Sequence, residues 1–308
     1  MKNPLEKGKI MKPQSASFFI LIILAVLPLL SGCDTPDTET VEAKIVFTSS
    51  YANNDEIYVM TEDGVYQADI SDNAASDTDP AWSPDRTQFV FVSDRDGDAE
   101  IYVMDINGNN VEQLTSNTFS DTAPAWSPDG TKIAFASDRD GDNEIYVMDA
   151  DGSNQANISN DATGNDTYPT WLPTDGSEIA FASDRDGDFE IYTMNDDGTV
   201  QANITNNAAS DTYPAWSPDD SQIVFVSDRD GNNDIYVSVL DPYSETQLTD
   251  STASDTHPAW SADGSQIVFT SDRDGDNEIF VMDADGSNVD QLTDNNVNDS
   301  HPSWKPAD

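Results

Sequence analysis

Five stretches of this sequence gather carboxylates around a short turn. Four read Asp-Arg-Asp-Gly-Asp-x-Glu, with acids at Asp94, Asp96, Asp98 and Glu100; at Asp138, Asp140, Asp142 and Glu144; at Asp184, Asp186, Asp188 and Glu190; and at Asp272, Asp274, Asp276 and Glu278. The fifth reads Asp-Arg-Asp-Gly-Asn-Asn-Asp, with acids at Asp228, Asp230 and Asp234. Hard, charged oxygens at alternate positions of a flexible loop are what Ca2+ coordination requires, so these are candidate Ca2+ loops. The spacing resembles the EF-hand loop without matching it. The same residues also read as polar turns in which the first Asp and the Arg form salt bridges between repeats. The equivalent stretch Ser50–Glu56 lacks the Asp triplet and is expected not to bind.

The arginines of these loops, Arg95, Arg139, Arg185, Arg229 and Arg273, are placed at regular intervals in a very acidic chain. Such placement calls for a fixed partner, and a bidentate carboxylate is the natural one. The expected partners are Asp77, Asp121, Asp166, Asp211, Asp255 and Asp299, which recur with the same spacing. A second set of positions varies where its surroundings do not. The residue preceding a recurrent proline is Asp79, Ala123, Tyr168, Tyr213, His257 or His301, and both histidines of the chain belong to this set. Side chains of these types supply acid–base groups or aromatic contacts; the two histidines would make half of a transition-metal site, with no further His or suitable Cys to complete it.

Positioning these residues falls to a repeated element. The six tryptophans, Trp82, Trp126, Trp171, Trp216, Trp260 and Trp304, are spaced 44, 45, 45, 44 and 44 residues apart. A fixed period of this size marks an array of similar units, within the range of propeller blades. In the unit beginning Pro124-Ala125-Trp126, proline opens a strand and Ser127-Pro128-Asp129-Gly130 makes a turn with Pro at its second position. An alternating strand follows at Lys132–Ser137, then the acidic loop, a strand at Glu144–Asp149, a hairpin turn at Asp151-Gly152, and a short strand around Ala156–Ile158. The first unit, starting at Lys44, lacks a Pro-x-Trp strand, and Pro302-Ser303-Trp304 supplies one at the other end. The predicted fold is therefore an all-β, six-bladed β-propeller of four-stranded antiparallel blades, its ring closed by N- and C-terminal strands sharing blade one. In such a ring the pre-proline residues stand beside the innermost strands, so Asp79, Tyr168, Tyr213, His257 and His301 are expected to line one channel mouth as a binding site.

The recurring Pro-Ala-Trp-Ser-Pro-Asp-Gly, Ile-x-Phe-x-Ser-Asp-Arg-Asp-Gly and Glu-Ile-Tyr-Val-Met-Asp strongly resemble the WD40-like repeat of the TolB family, over residues 44–308. The resemblance implies a propeller that binds envelope proteins. The same repeat type forms the non-catalytic propeller of prolyl-oligopeptidase-like enzymes, but no Gly-x-Ser-x-Gly elbow occurs here.

Residues 1–33 read as a lipoprotein signal peptide: Lys2, Lys7, Lys9 and Lys12, an apolar run from Phe18 to Leu30, then Leu30-Ser31-Gly32-Cys33. This ending resembles the bacterial lipobox, which implies lipidation of Cys33, the chain's only cysteine, and anchoring in a bilayer through that residue alone. Residues 34–43 read as a polar tether. With 13 Lys+Arg against 59 Asp+Glu the net charge is −46, which works against nucleic-acid binding. No nucleophile–base set is found. The reading is a monomeric, lipid-anchored cell-envelope propeller, periplasmic or surface-exposed, acting as a non-enzymatic scaffold for a protein or glycan. The alternatives are a propeller lyase or hydrolase acting on polysaccharide, and a Ca2+-dependent surface adhesin.

Overall fold

A computed structural model describes residues 42–51, 54–160 and 163–307. The expected signal peptide, Cys33 and nearly all of the tether lie outside the described residues. Among those described, no helix is long and apolar enough to cross a membrane.

The chain begins with β1 (Ile45–Ser49), β2 (Glu56–Met60) and β3 (Gln67–Asp69). The second blade is β4 (Asp77–Trp82), β5 (Gln88–Ser93), β6 (Glu100–Asp105) and β7 (Glu112–Gln113). The third is β8 (Asp121–Trp126), β9 (Lys132–Ser137), β10 (Glu144–Asp149) and β11 (Ala156–Asn157). The fourth is β12 (Asp166–Trp171), β13 (Glu178–Ser183), β14 (Glu190–Asn195) and β15 (Ala202–Asn203). The fifth is β16 (Asp211–Trp216), β17 (Gln222–Ser227), β18 (Asp234–Leu240) and β19 (Tyr243–Gln247). The sixth is β20 (Asp255–Trp260), β21 (Gln266–Ser271), β22 (Glu278–Asp283) and β23 (Asp290–Gln291). Finally β24 (Asp299–Trp304) pairs antiparallel with β1, through Ile45 with Trp304 and Ser49 with Asp299. The first sheet thus runs β24-β1-β2-β3, and the predicted closure by both ends of the domain holds.

The second strand of each blade departs from the sequence expectation in one respect. Its alternation is of size, not of polarity. Ile133 and Phe135 face the preceding blade, packing on Val90, Val92, Ile101 and Val103, while Ala134 and Ala136 face the following one, against Trp171, Ile179 and Phe181. Both faces are buried because each sheet is sandwiched between two others. The same seam between the sixth blade and the first joins Val268 and Ile279 to Ile45, Phe47, Tyr58 and Met60, with Trp304 packed against them.

Candidate functional site

Each innermost strand carries an irregularity at its Pro-x-Trp segment. In β4, Thr78 pairs with Val92 and Ala81 with Val90, so one extra residue is accommodated as a bulge. The bulged residue takes a left-handed backbone, with φ of 52° at Asp79, 49° at Ala123, 54° at Tyr168, 53° at Tyr213, 51° at His257 and 52° at His301. This conformation is costly for a residue with a Cβ, and more so before proline. Repeated six times, it places six side chains around one opening, a cavity of about 220 Å³ that they line together with the prolines following them. The predicted channel-mouth residues Asp79, Tyr168, Tyr213, His257 and His301 do come together.

Their arrangement is asymmetric. His301 Nε2 lies 3.0 Å from Asp79 Oδ1. The His301 ring stands 3.8 Å from that of His257, His257 stands 4.0 Å from Tyr213, and Tyr213 stands 4.0 Å from Tyr168, with the Tyr213 hydroxyl donating to Tyr168 Oη at 3.0 Å. Ala123 leaves a gap in the arc. Burial disfavours the charged form of His301, but the Asp79 carboxylate outweighs it and raises the imidazole above its ordinary value. Burial likewise pushes Asp79 up, and the His301 charge and hydrogen bond bring it below the usual carboxylate range. Burial and the His301 charge hold His257 well below the ordinary histidine value. The mouth therefore presents one half-buried ion pair beside a neutral histidine and two phenols whose rings are tilted 35° to each other. His257 Nδ1 contacts Thr256 Oγ1 at 2.9 Å and its Nε2 has no partner, whereas His301 is committed on both nitrogens, Nδ1 lying 2.9 Å from Ser300 Oγ. One free imidazole nitrogen is a poor donor set for a transition metal, and no group of three potential ligands gathers at the mouth among the described residues.

The arginines find the expected aspartates. Arg95, Arg139, Arg185, Arg229 and Arg273 each direct Nη2 to both oxygens of Asp77, Asp121, Asp166, Asp211 and Asp255, at 2.8–3.4 Å. Two details differ from the sequence reading. A single nitrogen spans the carboxylate, so the pair is not a two-nitrogen fork, and the bridge is within a blade rather than between repeats, because the Asp starts the innermost strand of the Arg's own sheet. The remaining guanidinium edge is used as well. Nε of Arg139 donates to Ser137 Oγ at 2.8 Å, Nη1 donates to Gln155 Oε1 at 2.7 Å, and the plane lies 4.4 Å from the Tyr146 ring centre.

The acidic loops spread their carboxylates over several partners. The first acid accepts a backbone N–H from the neighbouring loop, Asp94 from Ser76, Asp138 from Ser120, Asp228 from Ser210 and Asp272 from Ser254, each at 2.8 Å, and Asp184 from Asn165 at 2.5 Å. The second faces the outer strands: Asp140, Asp186 and Asp230 accept from Tyr146, Tyr192 and Tyr236, and Asp96 and Asp274 from Gln113 and Gln291. The last is buried and turned to the next inter-blade loop, where Glu100, Glu190 and Glu278 accept the N–H of Asn117, Asn207 and Asn295 at 2.5–2.7 Å. Asp188 is exposed, and Asp98, Asp142 and Asp276 are half-buried. Among the described residues only Asp96, Asp98 and Glu100 bring one oxygen each within 4.8 Å of one another. The Asn side chains that relay these loops to the inner aspartates, such as Asn117 Nδ2 to Asp121 Oδ2 at 2.8 Å, escaped sequence reasoning, although their recurrence four residues before the Asp was a usable signal.

The profile described as "TolB beta propeller domain" matches residues 35–122, 115–213, 175–244 and 199–308. No curated protein matches the sequence. Among solved structures, TolB from Acinetobacter baumannii superposes with a TM-score of 0.78 at 22% identity, over 87% of this chain and 67% of that one. A TolB-like protein of Agrobacterium tumefaciens does so with a TM-score of 0.66 at 22% identity, over 86% and 99%. The oligogalacturonate lyase of Vibrio parahaemolyticus gives a TM-score of 0.57 at 17% identity, over 81% and 74%.

Proposed function

This chain belongs to the TolB β-propeller family, and on that premise we propose that it is a lipid-anchored, non-enzymatic propeller of the bacterial cell envelope that holds a protein segment at its channel mouth. One observation carries the reading. The observation is a ring of positions that varies from blade to blade, where Asp79, Tyr168, Tyr213, His257 and His301 converge on one cavity. Neutral drift would scatter differences around the ring; here four adjacent blades carry ring-shaped side chains in continuous contact. Phenol and imidazole rings in continuous contact suit aromatic and peptide groups, and these side chains include no nucleophile–base pair to turn a substrate over. Anchoring is through lipidated Cys33, with residues 34–43 as the tether.

The test is photo-crosslinking in native envelope with the wild type, Tyr213→Ala and His257→Ala. The same partner is captured by the wild type and lost from both variants while their melting temperatures stay unchanged. Equal capture by all three removes the mouth from the reading. Turnover of oligogalacturonides, abolished by His257→Ala, would replace it with the lyase reading. Palmitate labelling of the wild type and its absence from Cys33→Ser tests the anchor.

A further inference from the structure

Five of the six inner aspartates are neutralised by an arginine of their own blade; Asp299 is not. Its blade is the one built from both ends of the domain, and the position equivalent to Arg95 is Tyr51. Asp299 has 0% exposure, and Asn295 Nδ2 reaches its Oδ2 at 2.7 Å while Oδ1 has no partner. Across the seam, on the sixth blade, Glu278 also has 0% exposure; its Oε1 accepts the Asn295 N–H at 2.7 Å and its Oε2 has no partner. The equivalent oxygens of Glu56 and Glu144 each receive a hydroxyl hydrogen, from Ser71 and Ser159 at 2.5 Å. Among the described residues, one junction of the ring therefore holds two buried carboxyl groups with no cation; the Thr293 hydroxyl lies beside both and that of Ser49 beside Asp299, yet Glu278 Oε2 and Asp299 Oδ1 receive no hydrogen bond of full geometry.

We propose that Glu278 and Asp299 share one proton across this seam, Glu278 Oε2–H donating to Asp299, and that losing it loosens the junction between the last blade and the first. Glu278 and Asp299 lie within hydrogen-bonding reach of each other; two buried carboxylates so placed cannot both stay ionised, and a shared proton gives both oxygens a partner in one bond. The other groups around the pair reinforce this. Asp276 precedes β22, Tyr58 faces Asp299 from β2, and His301, further along β24, is occupied by Asp79. Arg273, the cation of the sixth blade, is held by Asp255. Burial above all, with the charges of Asp299 and Asp276, pushes Glu278 up to about 7, and burial raises Asp299 as well. Between the ordinary glutamate value and about 7, the folded chain keeps a proton that the unfolded chain has lost, so stability falls as pH rises across that interval.

The test uses the full chain, with chelator, from about pH 5 to about pH 9. The wild-type melting temperature falls as pH rises through neutrality. Glu278→Gln, whose amide donates permanently to Asp299, flattens that part of the fall and leaves the part due to His301. Tyr51→Arg, which restores the missing cation, flattens it too and serves if Glu278→Gln does not fold. Infrared difference spectra of the wild type at about pH 6 show a neutral carboxyl band that Glu278→Gln lacks. Amide exchange in β1 and β24 accelerates above neutrality beyond that in β12 and β13. Parallel melting curves for the wild type and both variants, or an ionised Glu278 at about pH 6, overturn the proposal. Rescue of the wild type at high pH by Ca2+, absent in Glu278→Gln, overturns it in favour of a metal site.

Discussion

Replacing Arg139 by methionine isolates what the arginine clamps contribute. The side chain of Arg139 is 19% exposed and that of its partner Asp121 is 0% exposed. Methionine keeps most of the packing against Phe135 and Tyr146 and removes the charge and the bonds to Asp121, Ser137 and Gln155. What remains is a buried carboxylate with Asn117 as a donor, and breaking a buried pair in this way costs about 3–5 kcal/mol. The partial exposure of the guanidinium argues for the lower end, about 3 kcal/mol, which for a domain of this size lowers the melting temperature by roughly 5 °C. Denaturant titration and calorimetry on the wild type, Arg139→Met, Asp121→Asn and the double variant measure the coupling. The double variant recovers much of the loss, because a neutral amide in the pocket needs no cation. A cost under about 1 kcal/mol for Arg139→Met, or a double variant as unstable as the sum of the singles, would refute the reasoning that burial of Asp121 is what the arginine offsets.

Trp304→Ala removes a side chain that bridges the first and last blades and lowers stability by about 3 kcal/mol, read from denaturant midpoints; an unchanged midpoint speaks against closure through β24. Asp79→Asn lowers the pKa of His301, followed by NMR titration of the imidazole. The stability from the wild-type pair is present below the unfolded histidine value and is lost as pH rises through the raised folded value, a loss that Asp79→Asn abolishes. Calcium calorimetry should find at most one site per chain, abolished by Asp98→Asn, because among the described residues only Asp96, Asp98 and Glu100 converge; a stoichiometry of four or five would refute that geometry.

The architecture was legible because it is written in local, repeated terms. Tryptophan spacing sets the blade count, proline and glycine punctuate each blade, and the unpaired strand at Pro302–Trp304 matches the blade that lacks one. The Arg–Asp partnership was legible for the same reason: five copies of one arginine in an acidic chain require five copies of one carboxylate. Tertiary structure alone decided what the acidic loops do with their oxygens. Each acid in Asp138–Glu144 looks like a potential metal ligand along the chain, yet Asp138, Asp140 and Glu144 face different neighbours once the blades pack, because hydrogen bonding to adjacent loops and strands directs each one separately. The left-handed bulges at Tyr168, Tyr213, His257 and His301 were likewise invisible, since proline disfavours that backbone and only the pairing of the flanking strand residues enforces it. The substitution of Tyr51 for arginine is a one-letter difference in the sequence. It becomes a pair of buried carboxyl groups without a cation only where the ring brings Glu278 and Asp299 to the same seam.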